Sequence, residues 1–94
     1  MHYVLLYEVG DDYVERRAQF REIHLKNAQA AYDRGELVMA GVMTEPLDGA
    51  MLIFRTAEAA ESFAKVDPYV TNGLVAKWRV RKWHTVIGDG ATVP

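Results

Sequence analysis

Cysteine is missing from all 94 residues, which excludes a disulfide framework and a thiolate metal site. The three histidines, His2, His24 and His84, have no local ligand spacing, and no cluster of carboxylates suited to a hard cation accompanies them. The sequence therefore implies no metal and no cofactor. A Gly-rich phosphate loop and a Gly-x-Ser-x-Gly elbow are also lacking. Charge of one sign is scarce: 11 Lys and Arg stand against 13 Asp and Glu, a net charge of −2. A surface so balanced has no overall attraction to nucleic acid or to an anionic membrane. No stretch approaches the roughly 20 apolar residues that a membrane span needs. The opening run Met1–Glu8 carries no leading Lys or Arg and no small-residue cleavage site, so the expectation is a cytoplasmic protein.

Half of the residues are hydrophobic and about a quarter are charged, the composition of an ordinary globular domain. A chain this short buries ~60–65% of the surface that its unfolded form exposes, so one domain with a thin core is expected. Tyr3–Val9 is an apolar run closed by Gly10-Asp11-Asp12, a strand and a turn. From Tyr13 to Arg34 the spacing turns helical, with Val14, Ala18, Arg21, Leu25, Ala28 and Tyr32 on one face. Asp12 suits the start of this helix, and Gly35 suits the left-handed position beyond its end.

Leu37–Met43 and Ala50–Phe54 are strands joined by Glu45-Pro46-Leu47-Asp48-Gly49, a hairpin turn. Thr56 caps a second helix over Ala57–Val66, whose buried stripe is Ala59, Ala60, Phe63 and Ala64. Asp67-Pro68 stops it, because the residue before proline is pushed out of helical geometry. A short helical turn follows over Pro68–Gly73, and the last strand runs from Val75 to about Ile87. The order β-α-β-β-α-β predicts an α+β, ferredoxin-like domain over residues 1–87, followed by a flexible tail over 88–94. Right-handed crossovers place both helices on one face of a four-stranded antiparallel sheet.

The strands are apolar on both sides. Alternation sets Tyr3, Leu5 and Tyr7 against Val4 and Leu6, Leu37 and Met39 against Val38, Ala40 and Val42, and Leu52 and Phe54 against Met51 and Ile53. A sheet with one wet face alternates apolar with polar instead. Two helices cover one side only, so a second copy of the chain is expected on the open face. On this reading Val42→Asp weakens the dimer. The alternative is that small apolar residues such as Ala40 and Val42 are simply exposed.

Several segments resemble the YciI-like (YCII-related) family of small dimeric α+β barrel proteins. They are Arg21-Glu22-Ile23-His24-Leu25, Gly35-Glu36-Leu37-Val38-Met39-Ala40-Gly41, and Asp67-Pro68-Tyr69-Val70, followed by Gly73-Leu74 and by Trp78-Arg79-Val80-Arg81-Lys82-Trp83. They occur in the family's order across nearly the whole chain, and the Asp-Pro-Tyr-Val segment is the most distinctive. Glu22, Val42 and Lys82 stand where prolines are common in the family. The resemblance implies a ferredoxin-like dimer with a His–Asp site carried by His24 and Asp67, within a superfamily that contains isomerases, dehydrohalogenases and small oxygenases.

On the helical face drawn above, His24 falls at the edge, roughly 80° from the centre at ~100° per residue. Imidazole has a reference pKa of about 6.5 and both takes and gives a proton near neutrality. Asp67 would orient it or hold its charged form, and Arg21, one turn earlier, would hold an anionic substrate group or favour the neutral imidazole. The plain alternative is a histidine without a task and an aspartate that only ends a helix.

The function that follows is proton transfer on a small polar molecule without a cofactor, of isomerase or lyase type. The alternative is a non-catalytic ligand-binding or accessory module using the same cavity. Lys77, Arg79 and Arg81 alternate with Ala76, Trp78 and Val80 in the last strand. The aromatic basic motif of RNA-binding sheets does not appear on the central strands, so these cations are read as protection of an edge strand, with Trp78 packed in the core or the dimer contact.

Overall fold

In the computed structural model, which describes residues 1–92, the chain forms β1 (His2–Val9), α1 (Tyr13–Arg16), a 3₁₀ turn (Arg17–Gln19), α2 (Arg21–Asp33), β2 (Leu37–Met43), β3 (Gly49–Phe54), α3 (Ala57–Val66), α4 (Pro68–Thr71) and β4 (Val75–Trp83). The strands make one antiparallel sheet in the order β2-β3-β1-β4. This is the ferredoxin-like arrangement. Leu5, Leu52 and Phe54 from the sheet meet Ala31 of α2 and Ala60, Phe63 and Ala64 of α3 in a single core, so the helices share one face. No helix among the described residues is long and apolar enough to cross a membrane.

The second helix follows its local signals. The Thr56 hydroxyl accepts from the Ala59 amide at 3.1 Å, and Asp67 ends α3 in an extended conformation. Gly35 closes α2 at φ +79°, a left-handed geometry that a side chain would strain. Gly49 meets a different demand: a Cβ there would lie 2.6 Å from the Tyr7 carbonyl oxygen, so only glycine lets β3 approach β1 at that point.

Several expectations need correction. First, the 13–34 helix is interrupted, because hydrogen bonding tightens at Arg17–Phe20, where the Phe20 amide donates to the Arg17 carbonyl at 3.0 Å. The Asp12 side chain makes no capping bond to the backbone; it accepts from Arg16, whose guanidinium also donates to the Asn72 carbonyl.

Second, the buried side of this segment is Tyr13, Phe20, His24, Ala28 and Ala31, while Val14, Leu25 and Tyr32 are exposed. Two neighbouring stripes are both apolar, and the small residues Ala28 and Ala31 decide between them by letting α2 lie close to β2. His24 therefore sits at the centre of the inward face.

Third, β2 carries a bulge at Val38. Leu37 pairs with Phe54 but Met39 already pairs with Ile53. The extra residue reverses the alternation beyond it. Ala40 and Val42 pair with Leu52 and Ala50 and share the helix side, while Met39 and Met43 lie on the open face. Val42 is thus not an outward residue of the sheet's free face.

β4 ends at Trp83 rather than near Ile87. Beyond it, the chain returns toward the N-terminus: His2 Nδ1 and Thr85 Oγ1 lie 2.7 Å apart, and the Met1 amino group donates to the Gly90 carbonyl at 2.7 Å and to Thr92 Oγ1 at 3.0 Å. Of the expected tail, residues 93 and 94 lie outside the described residues. Trp78 sits opposite Tyr7 and packs against the core, whereas Lys77, Arg79 and Arg81 project from the other face of the edge strand β4.

Candidate active site

Four elements converge behind the middle of β1. Tyr7 comes from that strand, His24 from the first turn of α2, and Asp67 from the junction of α3 and α4, which also orients Tyr69. The Asp-Pro sequence is the local reason for this junction. Asp67 is extended because Pro68 follows it, Pro68 opens α4 with its fixed φ, and the Asp67 side chain accepts from the Tyr69 amide at 3.1 Å.

Asp67 is fully buried, and its carboxylate is surrounded by donors. The Tyr7 hydroxyl donates to Oδ2 at 2.6 Å, the Tyr69 amide to Oδ1, and His24 Nδ1 lies 2.9 Å from Oδ1 and 3.1 Å from Oδ2. An ionised carboxylate only accepts, so His24 carries its proton on Nδ1. Among the described residues, Nε2 has no hydrogen-bond partner. The ring lies stacked on Tyr69 with centroids 4.0 Å apart and planes at 14°, and Phe63 meets it edge-on at 6.0 Å. Packing and hydrogen bonding together hold the imidazole in one orientation.

Beside this ring is a cavity of about 270 Å³, walled on the sheet side by Ala40, Val42, Ala50 and Leu52 and on the helix side by Arg17, Arg21, Leu25 and Ala28. Of the residues expected from sequence, His24 and Asp67 are brought into direct contact, and Arg21 lines the same cavity. Sequence reasoning missed Tyr7, Tyr69 and Arg17. Tyr7 looks like one more inward strand residue until Asp67 is placed against it. Arg17 carried a sequence signal only on the expected continuous 13–34 helix, where it would fall one turn before Arg21; in the structure a 3₁₀ turn separates the two.

Burial pushes the Tyr7 phenol far above its ordinary pKa, reinforced by the charge of Asp67 and by the hydrogen bond to it. Tyr69 is also raised, first by burial, with Arg21 and Arg17 opposing the shift. The folded state therefore keeps the Tyr7 proton above about pH 10, where an unfolded tyrosine loses it. The resulting stability is complete below about pH 10 and falls as pH rises beyond it, by about 1.4 kcal/mol per pH unit for one proton. Tyr7→Phe should lose about 1.5–3 kcal/mol at neutral pH with the hydrogen bond to the carboxylate. Its stability should then decline less steeply in alkali than that of the native chain. Urea titrations at a series of alkaline pH values check this, and parallel slopes would contradict it.

Comparison with known proteins places this geometry in context. The YCII-related domain model matches residues 1–84. Protein YciI of Escherichia coli O6:H1 and Protein YciI of Shigella flexneri are each 32% identical over 97 residues, covering 92% of this chain and 99% of theirs. Among solved structures, 5-chloro-2-hydroxyhydroquinone dehydrochlorinase (TftG) from Burkholderia phenoliruptrix AC1100, in complex with 2,5-dihydroxybenzoquinone, superposes with a TM-score of 0.73. It is 18% identical, over 98% of this chain and all of that one, so the likeness is one of fold. The family match over most of the chain and the identity to the YciI proteins agree with the segments around His24 and Asp67: the chain belongs to the YCII-related domain family.

Proposed function

We propose that His24 is a general base and acid for a small polar molecule held in the adjacent cavity, in an isomerisation or an elimination that needs no cofactor. The observation that carries this reading is the clamp on Nδ1: a fully buried Asp67 fixes one nitrogen and leaves Nε2 as the lone-pair nitrogen beside the cavity. Nε2 takes a proton from a carbon next to a carbonyl, and the Asp67 carboxylate stabilises the imidazolium that forms. The proton then returns to another atom of the same molecule, or a leaving group departs with its electron pair as an anion. Arg21 would hold negative charge on the substrate. The dehydrochlorinase name of the structural neighbour TftG agrees with the elimination branch.

The test is NMR-detected exchange of carbon-bound hydrogen for deuterium in a panel of enolisable ring ketones and dihydroxybenzenes in D₂O. Exchange that depends on His24 supports the enzyme. Binding without exchange in any member of the panel would make the chain a ligand-binding module.

The same reading includes a homodimer through the open sheet face. Leu6 and Met51 are half-buried there, Met39 and Met43 are exposed, and a hollow of about 790 Å³ extends from Leu6 to Arg79. Lys77, Arg79 and Arg81 of β4 project from the same face, so the part that favours a second copy is the apolar one formed by Leu6, Met39, Met43 and Met51. The native chain should sediment at twice its monomer mass at micromolar concentration, and Met51→Asp, at the centre of the face, should sediment as a monomer. A native monomer under these conditions would contradict the assembly.

A further inference from the structure

We infer that the cavity takes a small single-ring anion, whose acidic oxygens lie between the guanidinium groups of Arg17 and Arg21; this rests on the proton-transfer reading of the same site. The volume, about 270 Å³, is just below the ~300–1,000 Å³ of sites for drug-sized molecules, so a molecule of one ring is the match. The lining is selective by what it contains. Ala28, Ala40, Val42, Ala50 and Leu52 form small apolar walls, and no Ser, Thr, Asn, Gln, Asp or Glu is among the lining residues. The polar groups in the lining are the phenols of Tyr7, Tyr13 and Tyr69, the His24 ring and the guanidinium groups of Arg17 and Arg21, so a cation would find no counter-charge.

The formal charge in the lining is positive. Arg17 and Arg21 lie four residues apart, across the break between the 3₁₀ turn and α2, and among the described residues neither pairs with a carboxylate. The nearby acid, Asp67, is sealed behind His24 and already accepts from three groups. Arg17 is held in place, its guanidinium carbon 5.6 Å from the centroid of the Tyr13 ring. Arg17 and Arg21 line the same cavity as Tyr69, the tyrosine stacked on His24. Two planar forks that no carboxylate neutralises, in a cavity with small apolar walls, match a ring carboxylate or adjacent ring oxygens sharing a negative charge.

The test uses benzoate, its neutral isostere benzamide, and 2-naphthoate as an oversized anion, titrated into the full chain while the aromatic signals of His24 and Tyr69 are followed by NMR. Benzoate should move those signals and bind about tenfold or more tighter than benzamide, and 2-naphthoate should bind more weakly than benzoate. Arg17→Gln and Arg21→Gln should each weaken benzoate about tenfold, with Arg17→Lys recovering part of the loss. Ligand-free spectra of each variant report whether the fold is retained.

Equal binding of benzoate and benzamide, or unchanged benzoate affinity in a folded Arg17→Gln, would overturn the inference. Benzoate bound in the cavity with no hydrogen exchange in the ketone panel leaves the anion site standing and removes the proton-transfer reading. Exchange on neutral ring ketones without benzoate binding does the reverse.

Discussion

Asp67→Ala should destabilise the protein by about 3–5 kcal/mol. Its removal leaves the Tyr7 hydroxyl, the Tyr69 amide and His24 Nδ1 without an acceptor in a site from which water is excluded. It also removes the side-chain cap of α4, worth about 1 kcal/mol of that total. A domain of this size has roughly 5–14 kcal/mol of stability in all, so one substitution consumes about a fifth or more. The midpoint of thermal unfolding should fall by roughly 12–40 °C. Asp67→Asn should lose less, because its amide oxygen still accepts from the Tyr69 amide and the Tyr7 hydroxyl is able to turn and accept from the amide NH₂. Calorimetry on the two variants checks the order. An Asp67→Ala protein as stable as the native chain would mean that the buried network contributes nothing.

The largest functional effect is expected at His24. A positioned acid–base group contributes typically ~10²–10⁴-fold in rate, and His24→Asn should lose that much in the deuterium-exchange reaction. Asparagine is the informative replacement, because its Nδ2 is able to donate to Asp67 from the place of Nδ1 while nothing replaces Nε2. Its stability should fall by about 1–2 kcal/mol through loss of the stacking on Tyr69. His24→Ala is less selective. An edge-of-face histidine would leave the thermal midpoint unchanged on removal, but this one is central, stacked and bonded to a buried carboxylate. Rate and melting measured on the same His24→Asn sample separate the two roles, and an unchanged exchange rate would place the chemistry elsewhere.

Much of the fold was legible because its signals are local. Thr56 caps α3, Pro68 forces Asp67 out of it, and Gly35 occupies the left-handed turn; each effect acts within a few residues of its cause. The phase of α2 was not legible. Tyr13, Phe20, Ala28 and Ala31 compete with Val14, Leu25 and Tyr32, and only the close approach to β2 selects the first set. The bulge at Val38 leaves no mark in a run of apolar residues, yet it turns Ala40 and Val42 toward the cavity. His24 and Asp67 were named through motif positions, since 43 residues of chain separate them and no spacing rule connects them. Tyr7 was hidden for the same reason, being the partner of an aspartate 60 residues away.

Everything proposed for His24 depends on which nitrogen holds the proton, and long-range ¹H–¹⁵N correlation of its ring reports that directly. With the imidazole neutral, the native protein should show a pyrrole-type shift at Nδ1 and a pyridine-type shift at Nε2. Tyr7→Phe should keep this pattern, because the Tyr69 amide still fixes the carboxylate that accepts from Nδ1. A protonated Nε2, or a ring averaging between tautomers, would contradict the account, since the nitrogen beside the cavity would then be no base.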